Sequence, residues 1–122
     1  MDGTRTETPQ APLIDQTMIE GLRAALGPST EALLAKASGI VEERMARLAA
    51  LAVEPGDDLA RLAHEIGGVS AQVGLKRLSA EALELERMAR EGDAAAIRLA
   101  APALIETARE TMDALAEADA TG

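Results

Sequence analysis

Apolar residues recur three and four positions apart along most of the chain, which is the spacing of one face of an α-helix. From Asp15 onward five such stretches follow one another, and Gly27-Pro28, Pro55-Gly56, Gly74 and Gly92 separate them. Glycine and proline commonly end helices, so these positions mark the predicted turns. Runs that alternate between apolar and polar residues, which are typical of half-buried strands, are absent from the sequence. The pattern predicts one short helix followed by four longer ones.

The sequence also indicates where helices begin and how they pack. Asp15, Asp57 and Asp93 directly precede three of the apolar stretches. They are predicted as N-caps, because a carboxylate there accepts hydrogen bonds from free backbone N–H groups. Pro102 lies inside the last stretch and predicts a kink rather than an end, because the stripe resumes in phase behind it. Helices with one apolar stripe and short turns bury those stripes best as an antiparallel bundle.

We therefore predict an all-α fold, an antiparallel four-helix bundle with the short N-terminal helix packed across it. The bundle is expected to span residues 13–118. A polar arm at 1–12, which contains two prolines, and a short tail at 119–122 are both expected to be disordered.

Composition narrows the class of protein further. The 122 residues are 48% hydrophobic but include no Phe, Trp or Tyr, so the core must be built from aliphatic side chains, which suit helix packing. The formal net charge of −9 argues against nucleic acid as a partner, because the phosphate backbone would be repelled. The absence of cysteine excludes disulfides, thiolate metal sites and a cysteine nucleophile.

The sequence also gives no support for a membrane protein, a secreted protein, an ATPase or a zinc protein. No apolar run approaches the roughly 18 to 20 residues needed to cross a bilayer, and residues 1–12 lack the basic start and apolar centre of a signal peptide. We therefore expect a cytoplasmic protein that does not bind a membrane. There is no Walker-type glycine loop for ATP, and a single histidine without cysteine cannot supply a conventional zinc site. Acidic residues such as Glu42 and Glu43 have Arg44 and Arg47 at helical spacing, which indicates a solvated face.

His64 remains as the candidate for chemistry. At about 100° per residue, the apolar stripe of its helix centres close to 180° away, so the imidazole should point out of the bundle. That stripe consists of Leu59, Leu62, Ile66, Val69 and Val73. Ala60, Gly67, Gly68 and Ala71 are predicted to share the face of His64, and two glycines inside a helix cost about 1 kcal/mol each. We interpret these small residues as a patch that lets another protein approach, with an incidental surface histidine as the alternative.

The sequence around His64 resembles the signature of the histidine-containing phosphotransfer (HPt) domain. That signature has an Ala-His pair, then a leucine-type residue, small residues and two glycines at fixed spacing, and a leucine fourteen positions after the histidine. The matching positions here are Ala63, His64, Ile66, Gly68, Ser70, Ala71, Val73, Gly74 and Leu78. A Glu-Gly-Asp turn at Glu91 to Asp93 is also similar to the family, and the resemblance extends from Asp15 to Ala116.

The resemblance implies a phosphorelay intermediate rather than an enzyme. In that family the histidine Nε2 accepts a phosphoryl group from an aspartate of one receiver domain and passes it to another. For this chain the expectation is therefore that His64 is phosphorylated and that its partners are receiver domains of response regulators or hybrid histidine kinases. No cofactor is expected on the chain itself, Mg²⁺ is expected from the receiver, and a monomer is expected.

The chain departs from the family signature at one position near the histidine. The family usually has Lys or Arg three residues after the histidine, where this sequence has Gly67. Arg61, Gly67, Gly68 and Gln72 are assigned to the surroundings of the phosphoryl group, and Lys76 or Arg77 at the start of the next helix is an alternative source of positive charge. Docking of the receiver is assigned to Ala60, Ala71 and Leu75, with Met18 or Leu22 of the first helix as further contacts.

Three alternatives stay open on the sequence alone. The missing cation keeps open a binding module that docks on a receiver and inhibits it without accepting phosphate. The His64-Glu65 pair also begins the motif of the phosphoacceptor and dimerisation region of histidine kinases. Those regions contain two helices per chain and usually a proline soon after the histidine, and neither feature fits. The third alternative is a structural helical adaptor that does not bind receivers.

Overall fold

The fold is a bundle of helices in the computed structural model, which describes the backbone of residues 11–51 and 55–121 and the side chains as far as 117. No strand occurs in this part of the chain. The helices are α1 (Gln16–Leu26), α2 (Ser29–Leu51), α3 (Asp57–Gln72), α4 (Lys76–Glu91) and α5 (Ala94–Thr121). The predicted all-α fold, with one short helix and four longer ones, is therefore confirmed.

The helix ends follow local sequence signals at most positions. Asp15 Oδ1 accepts a hydrogen bond from the Met18 amide at 3.1 Å, and Asp93 Oδ1 accepts one from the Ala96 amide at 3.1 Å, so both predicted caps are confirmed. The prediction for Asp57 is wrong, because Asp57 is the first residue of α3 and the cap position falls on Gly56. In the first turn the Asp57 carboxylate still faces the positive end of the helix dipole.

The four long helices form a closed ring. Contacts join α2 to α3, α3 to α4, α4 to α5 and α5 back to α2, and the α3–α4 pair packs most extensively. Short turns connect neighbouring helices, so each runs antiparallel to the one before it. The α2–α5 side of the ring therefore lies opposite the α3–α4 side. The short α1 packs against α2, and the Asp15 amide before it donates to the Gly74 carbonyl oxygen in the α3–α4 turn at 2.8 Å.

The core of the described residues is mainly aliphatic, with a few buried hydroxyl side chains such as those of Thr30 and Thr111. Its largest fully buried side chains include Leu48, Leu59, Ile66, Leu75, Leu78, Leu85, Ile97 and Leu104. Alanines such as Ala63 and Ala82 are also fully buried, which lets neighbouring helices approach closely. The predicted α3 stripe is buried at Leu59, Leu62 and Ile66. The buried arc is wider than predicted, because α3 packs against two neighbours.

The structure describes parts of the two ends that the sequence predicts as disordered. Residues 1–10 of the arm lie outside the described residues, but the backbone of Ala11 and Pro12 is hydrogen-bonded to the first turn of α4. Arg77 Nε donates to the Ala11 carbonyl oxygen at 2.6 Å, and the Arg77 amide donates to that of Pro12 at 3.1 Å. At the other end α5 is helical to Thr121, and residue 122 lies outside the description.

Two further features of the helices bear on the sequence predictions. The helix α5 continues through Pro102, which is exposed and lies within it. The predicted kink at this proline stays a prediction. None of the helices in the described part of the chain has the length and apolar character that a membrane span requires.

Candidate functional site

The His64 side chain lies on the surface of α3. It is 66% exposed, whereas Leu62 and Ile66 on the same helix are buried in the core. The prediction that the imidazole points out of the bundle is confirmed. An exposed ring on a helix fixed by its buried neighbours is accessible to another macromolecule and still held at a defined position.

A carboxylate on α4 fixes the orientation of the imidazole. His64 Nδ1 lies 3.1 Å from Glu86 Oε1, and Glu86 is only 16% exposed. Arg90, one turn further along α4, donates to Glu86 Oε2 from Nε at 3.1 Å and from Nη2 at 2.8 Å. Because a carboxylate can only accept, the proton of the neutral ring lies on Nδ1. Nε2 then carries the free lone pair.

Arg90 also keeps Glu86 ionised. Its hydrogen bonds lower the pKa of the Glu86 carboxyl below the usual range of a glutamate. Partial burial acts in the opposite direction, and the bond to His64 lowers the pKa further. Near neutral pH the group that orients His64 is therefore a carboxylate.

The two glycines that follow His64 play different structural roles. Gly67 is buried against α4, and a Cβ atom at this position would lie 3.0 Å from Leu83 Cδ2 and 3.6 Å from Ala82 Cβ. Ser79 Oγ also donates to the Gly67 carbonyl oxygen at 3.1 Å. Gly68 is exposed, and a Cβ there would meet no described atom within 4 Å. The expectation that both glycines form one exposed patch is wrong for Gly67, which is buried where the Leu83 side chain of α4 covers it.

Comparison with known families identifies the class of this protein. The model of the Hpt domain matches residues 16–118, which include the five helices except for the last three residues of α5. The chain belongs to the Hpt domain family. No curated protein and no solved structure matches it. Hpt domains are phosphotransfer modules of two-component systems, so the resemblance found in the sequence is confirmed at the level of the family.

The other two predicted neighbours of the phosphoryl group are solvent-exposed in this Hpt domain. Arg61 Nη1 lies 3.4 Å from Asp58 Oδ1, one turn before it on α3. Gln72 lies at the end of α3. Neither side chain makes a hydrogen bond to His64 within the described structure. Their predicted roles stay predictions, and both side chains are exposed enough to move on binding.

Two of the three predicted docking residues are not on the surface of the Hpt domain. Ala60 and Leu75 are buried, so their assignment to docking is wrong, whereas Ala71 is exposed as expected. Ala60 is 1% exposed and belongs to the hydrophobic core. Leu75 is the N-cap residue of α4, and its side chain enters the core beneath the α3–α4 turn.

An apolar surface on the α3–α4 side of the bundle is formed by residues of α1, α3 and α4. Met18 is 36% exposed and Leu83 is 48% exposed, and Ala71 and Ala80 are exposed with them. These four residues line a shallow hollow of about 320 Å³ together with Asp15, Gly74, Lys76 and Ser79. Leu22 of α1, the other contact expected from that helix, is only partly exposed and packs against the core.

Sequence reasoning missed Leu83, Glu86 and Arg90. The three residues are spaced three and four apart, so they lie on one face of α4, and this spacing is visible in the sequence. The sequence does not show which face of α4 lies beside His64. His64 and Glu86 are 22 residues apart in the sequence, so their contact depends on how α3 and α4 pack. Within the described residues no group of three or more His, Asp or Glu side chains could hold a metal ion.

Proposed function

We propose that this Hpt domain relays a phosphoryl group between aspartates of receiver domains through Nε2 of His64. The observation that supports this function best is the hydrogen bond of His64 Nδ1 to Glu86, which directs the Nε2 lone pair away from the protein. Family membership supports a phosphotransfer module, and the exposure of the imidazole supports reaction with another macromolecule.

The proposed transfer needs little covalent chemistry from this chain. The Nε2 lone pair attacks the phosphorus of a receiver aspartyl phosphate, and an N–P bond forms as the P–O bond breaks. The aspartate leaves as a carboxylate with the electron pair, and no proton has to leave Nε2. Glu86 holds the Nδ1 proton throughout and stabilises the positive charge that develops on the ring. Transfer to a second receiver is the same step in reverse.

Neutralisation of the phosphoryl oxygens would come mainly from the partner. Phosphoryl transfer passes through a loose transition state that depends on positioning and on charge stabilisation. Mg²⁺ bound by the receiver would supply that charge, while this chain supplies a positioned nucleophile. Position 67, where the family usually has a cation, holds a glycine covered by Leu83.

The surface around the site fits a transient complex. The hollow lined by Met18, Ala71, Ala80 and Leu83 is small and apolar, and it lies on the side of the bundle that carries His64. Weak signalling complexes bury modest areas of this kind. We propose that a receiver contacts this hollow while its phosphorylated aspartate faces His64.

A docking-only module is the second candidate. The observation in its favour is the apolar contact between Gly67 and Leu83, which leaves the histidine without the cation that the family usually places there. Such a module would bind a receiver and block it, and its binding would not depend on His64.

One experiment separates the two candidates. Wild type and His64→Gln are each mixed with a panel of phosphorylated receivers, and transfer of the label and binding are both measured. The relay predicts an acid-labile, base-stable label on wild type alone, with equal binding by both proteins and equal Tm values, because His64 is exposed. Binding by both without label on either would establish the docking module. Label on both would show that His64 is not the acceptor.

A further inference from the structure

The space beside Gly67 is filled by Leu83 from the neighbouring helix. A Cβ atom at position 67 would lie 3.0 Å from Leu83 Cδ2 and 3.2 Å from Leu83 Cγ, which is closer than side chains normally pack. Position 67 is about one helical turn after His64. The glycine and the leucine are therefore complementary, and an apolar side chain occupies the place, one helical turn after His64, that a side chain at position 67 would take.

Leu83 also lines the apolar hollow, on its side toward Glu86 and the nucleophile. On α4 it lies three residues before Glu86, which binds His64, and three residues after Ala80, which lines the hollow. Residues three apart on a helix are neighbours on its surface. With 48% of Leu83 exposed, a partner that touches both His64 and the hollow must also contact this side chain.

We propose that Leu83 determines which receivers this domain accepts, by apolar contact beside the phosphorylation site. The favoured partner is a receiver with an exposed apolar patch next to its phosphorylated aspartate, and a receiver with a charged side chain there is disfavoured. Leu83 is a specificity-determining residue that positions the partner and does not act on the phosphoryl group. This inference rests on the proposed function insofar as the partner is a receiver.

The first test is Leu83→Ala, with Leu99→Ala as its matched control. Leu99 is also an exposed leucine on a helix, at 80%, but it lies on α5, which does not adjoin α3 in the ring. For apolar receivers Leu83→Ala is expected to raise Kd and KM about tenfold, as for a residue near the centre of a small interface. The maximal transfer rate should change less than about twofold, because His64 and Glu86 are untouched. Leu99→Ala should leave all of these values unchanged.

The second test uses the contact with Gly67. Gly67→Ala places a methyl group against Leu83 Cδ2 and must displace it, so this change alone is expected to weaken docking of the same receivers. Once Leu83→Ala has removed the obstacle, adding Gly67→Ala should have almost no further effect. The two changes are therefore expected to be strongly non-additive in Kd.

The outcomes separate this inference from the proposed function. Kd is measured with unphosphorylated receivers, so Leu83 is tested even if no label reaches His64. A wild type that binds receivers but takes no label would contradict the relay alone. The inference is overturned if Leu83→Ala weakens all receivers equally, if it lowers the transfer rate without changing Kd, or if the two substitutions add independently. It is also overturned if the wild type binds no receiver.

Discussion

The two opposite sides of the bundle differ in how closely their helices pack. Between α3 and α4 a buried glycine, Gly67, lies against Ala82 and Leu83. Between α2 and α5 the facing side chains Met45, Ile105 and Met112 are only partly buried. Grooves of about 320 and 440 Å³ open along this second side, the larger of them extending to α1. The α3–α4 side is closely packed at Gly67 and carries its hollow of about 320 Å³ nearer the α3–α4 turn, whereas grooves run along the facing side chains of the α2–α5 side (the α2–α5 seam).

The site lies on the closely packed side for a physical reason. The hydrogen bond from His64 to Glu86 joins α3 to α4, so its length depends on the distance and rotation between those two helices. A small change in either would break the bond and free the imidazole. His64 lies on α3, away from the α2–α5 seam, so looser packing there has no comparable consequence for the orientation of the imidazole. The difference indicates that rigidity is concentrated where two helices share a functional contact.

Truncating one large side chain on each side should reveal the difference in stability. Leu85 on α4 is fully buried, so Leu85→Ala is expected to cost about 2 to 5 kcal/mol of unfolding free energy. Ile105 lines an existing groove, so Ile105→Ala should cost less than about 2 kcal/mol. Chemical denaturation followed by circular dichroism measures both values, since no aromatic residue is present for fluorescence. Equal losses would show that the seam is as well packed as the α3–α4 contact.

Adding volume provides the complementary test. Ala82→Val introduces two methyl groups into the contact near Gly67 and should cost about 1 to 3 kcal/mol. Ala108→Val directs the same groups toward the groove between α2 and α5, so its cost should stay below about 1 kcal/mol. Both changes carry the same intrinsic cost of valine in a helix. The difference between the two unfolding free energies therefore reports the available space, and a larger cost for Ala108→Val would contradict the contrast.

Removing the carboxylate that orients His64 tests whether the hydrogen bond between α3 and α4 positions the nucleophile. Glu86→Ala leaves the imidazole free to rotate, and the transfer rate should fall about tenfold, or ~1.4 kcal/mol in activation free energy. Glu86→Gln is the matched control, because its amide oxygen can still accept from Nδ1 but carries no charge to stabilise the ring, so its rate should fall less than that of Glu86→Ala. Single-turnover transfer from one phosphorylated receiver measures both. An unchanged rate in Glu86→Ala would show that the hydrogen bond does not position the nucleophile.

The same carboxylate predicts a dependence of stability on pH. Because Arg90 lowers the pKa of Glu86 in the folded protein, the ionised form is favoured by folding. Its contribution is complete above the pKa range of an unfolded glutamate, and it is lost as the pH falls through the lower folded value. Wild type should therefore lose more Tm between about pH 7 and about pH 3 than Glu86→Gln does. Equal losses in the two proteins would contradict this role of Arg90.

The sequence predicts those parts of the molecule that depend on local signals. The helix ends at Asp15, Asp93 and Gly92 follow from caps and turns, and the outward direction of His64 follows from the phase of its own helix. Errors arise where a second helix decides the outcome. Ala60 is buried because a neighbour covers that part of α3, and the phase of α3 alone contains no information about it.

The contacts of the site show the same limit. The sequence predicts that Gly67 lies on the surface. It is buried because the face of α4 that carries Leu83 packs against it, and the sequence of α3 does not show this. Glu86 follows His64 by 22 residues, and many acidic residues of this chain lie at comparable separations. Packing between helices depends on the summed fit of many side chains, so no short motif encodes it.

The smallest predicted effect concerns a buried hydroxyl group without a hydrogen-bond partner, near the α3–α4 turn. Ser70, near the α3–α4 turn, is fully buried, and its Oγ makes no hydrogen bond to any described atom. A buried hydroxyl without a partner lowers stability, and alanine also has the higher helix propensity. Ser70→Ala should therefore raise the unfolding free energy by up to about 1 kcal/mol and leave transfer through His64 unchanged. A loss of stability would instead show that the Ser70 hydroxyl makes a hydrogen bond in solution.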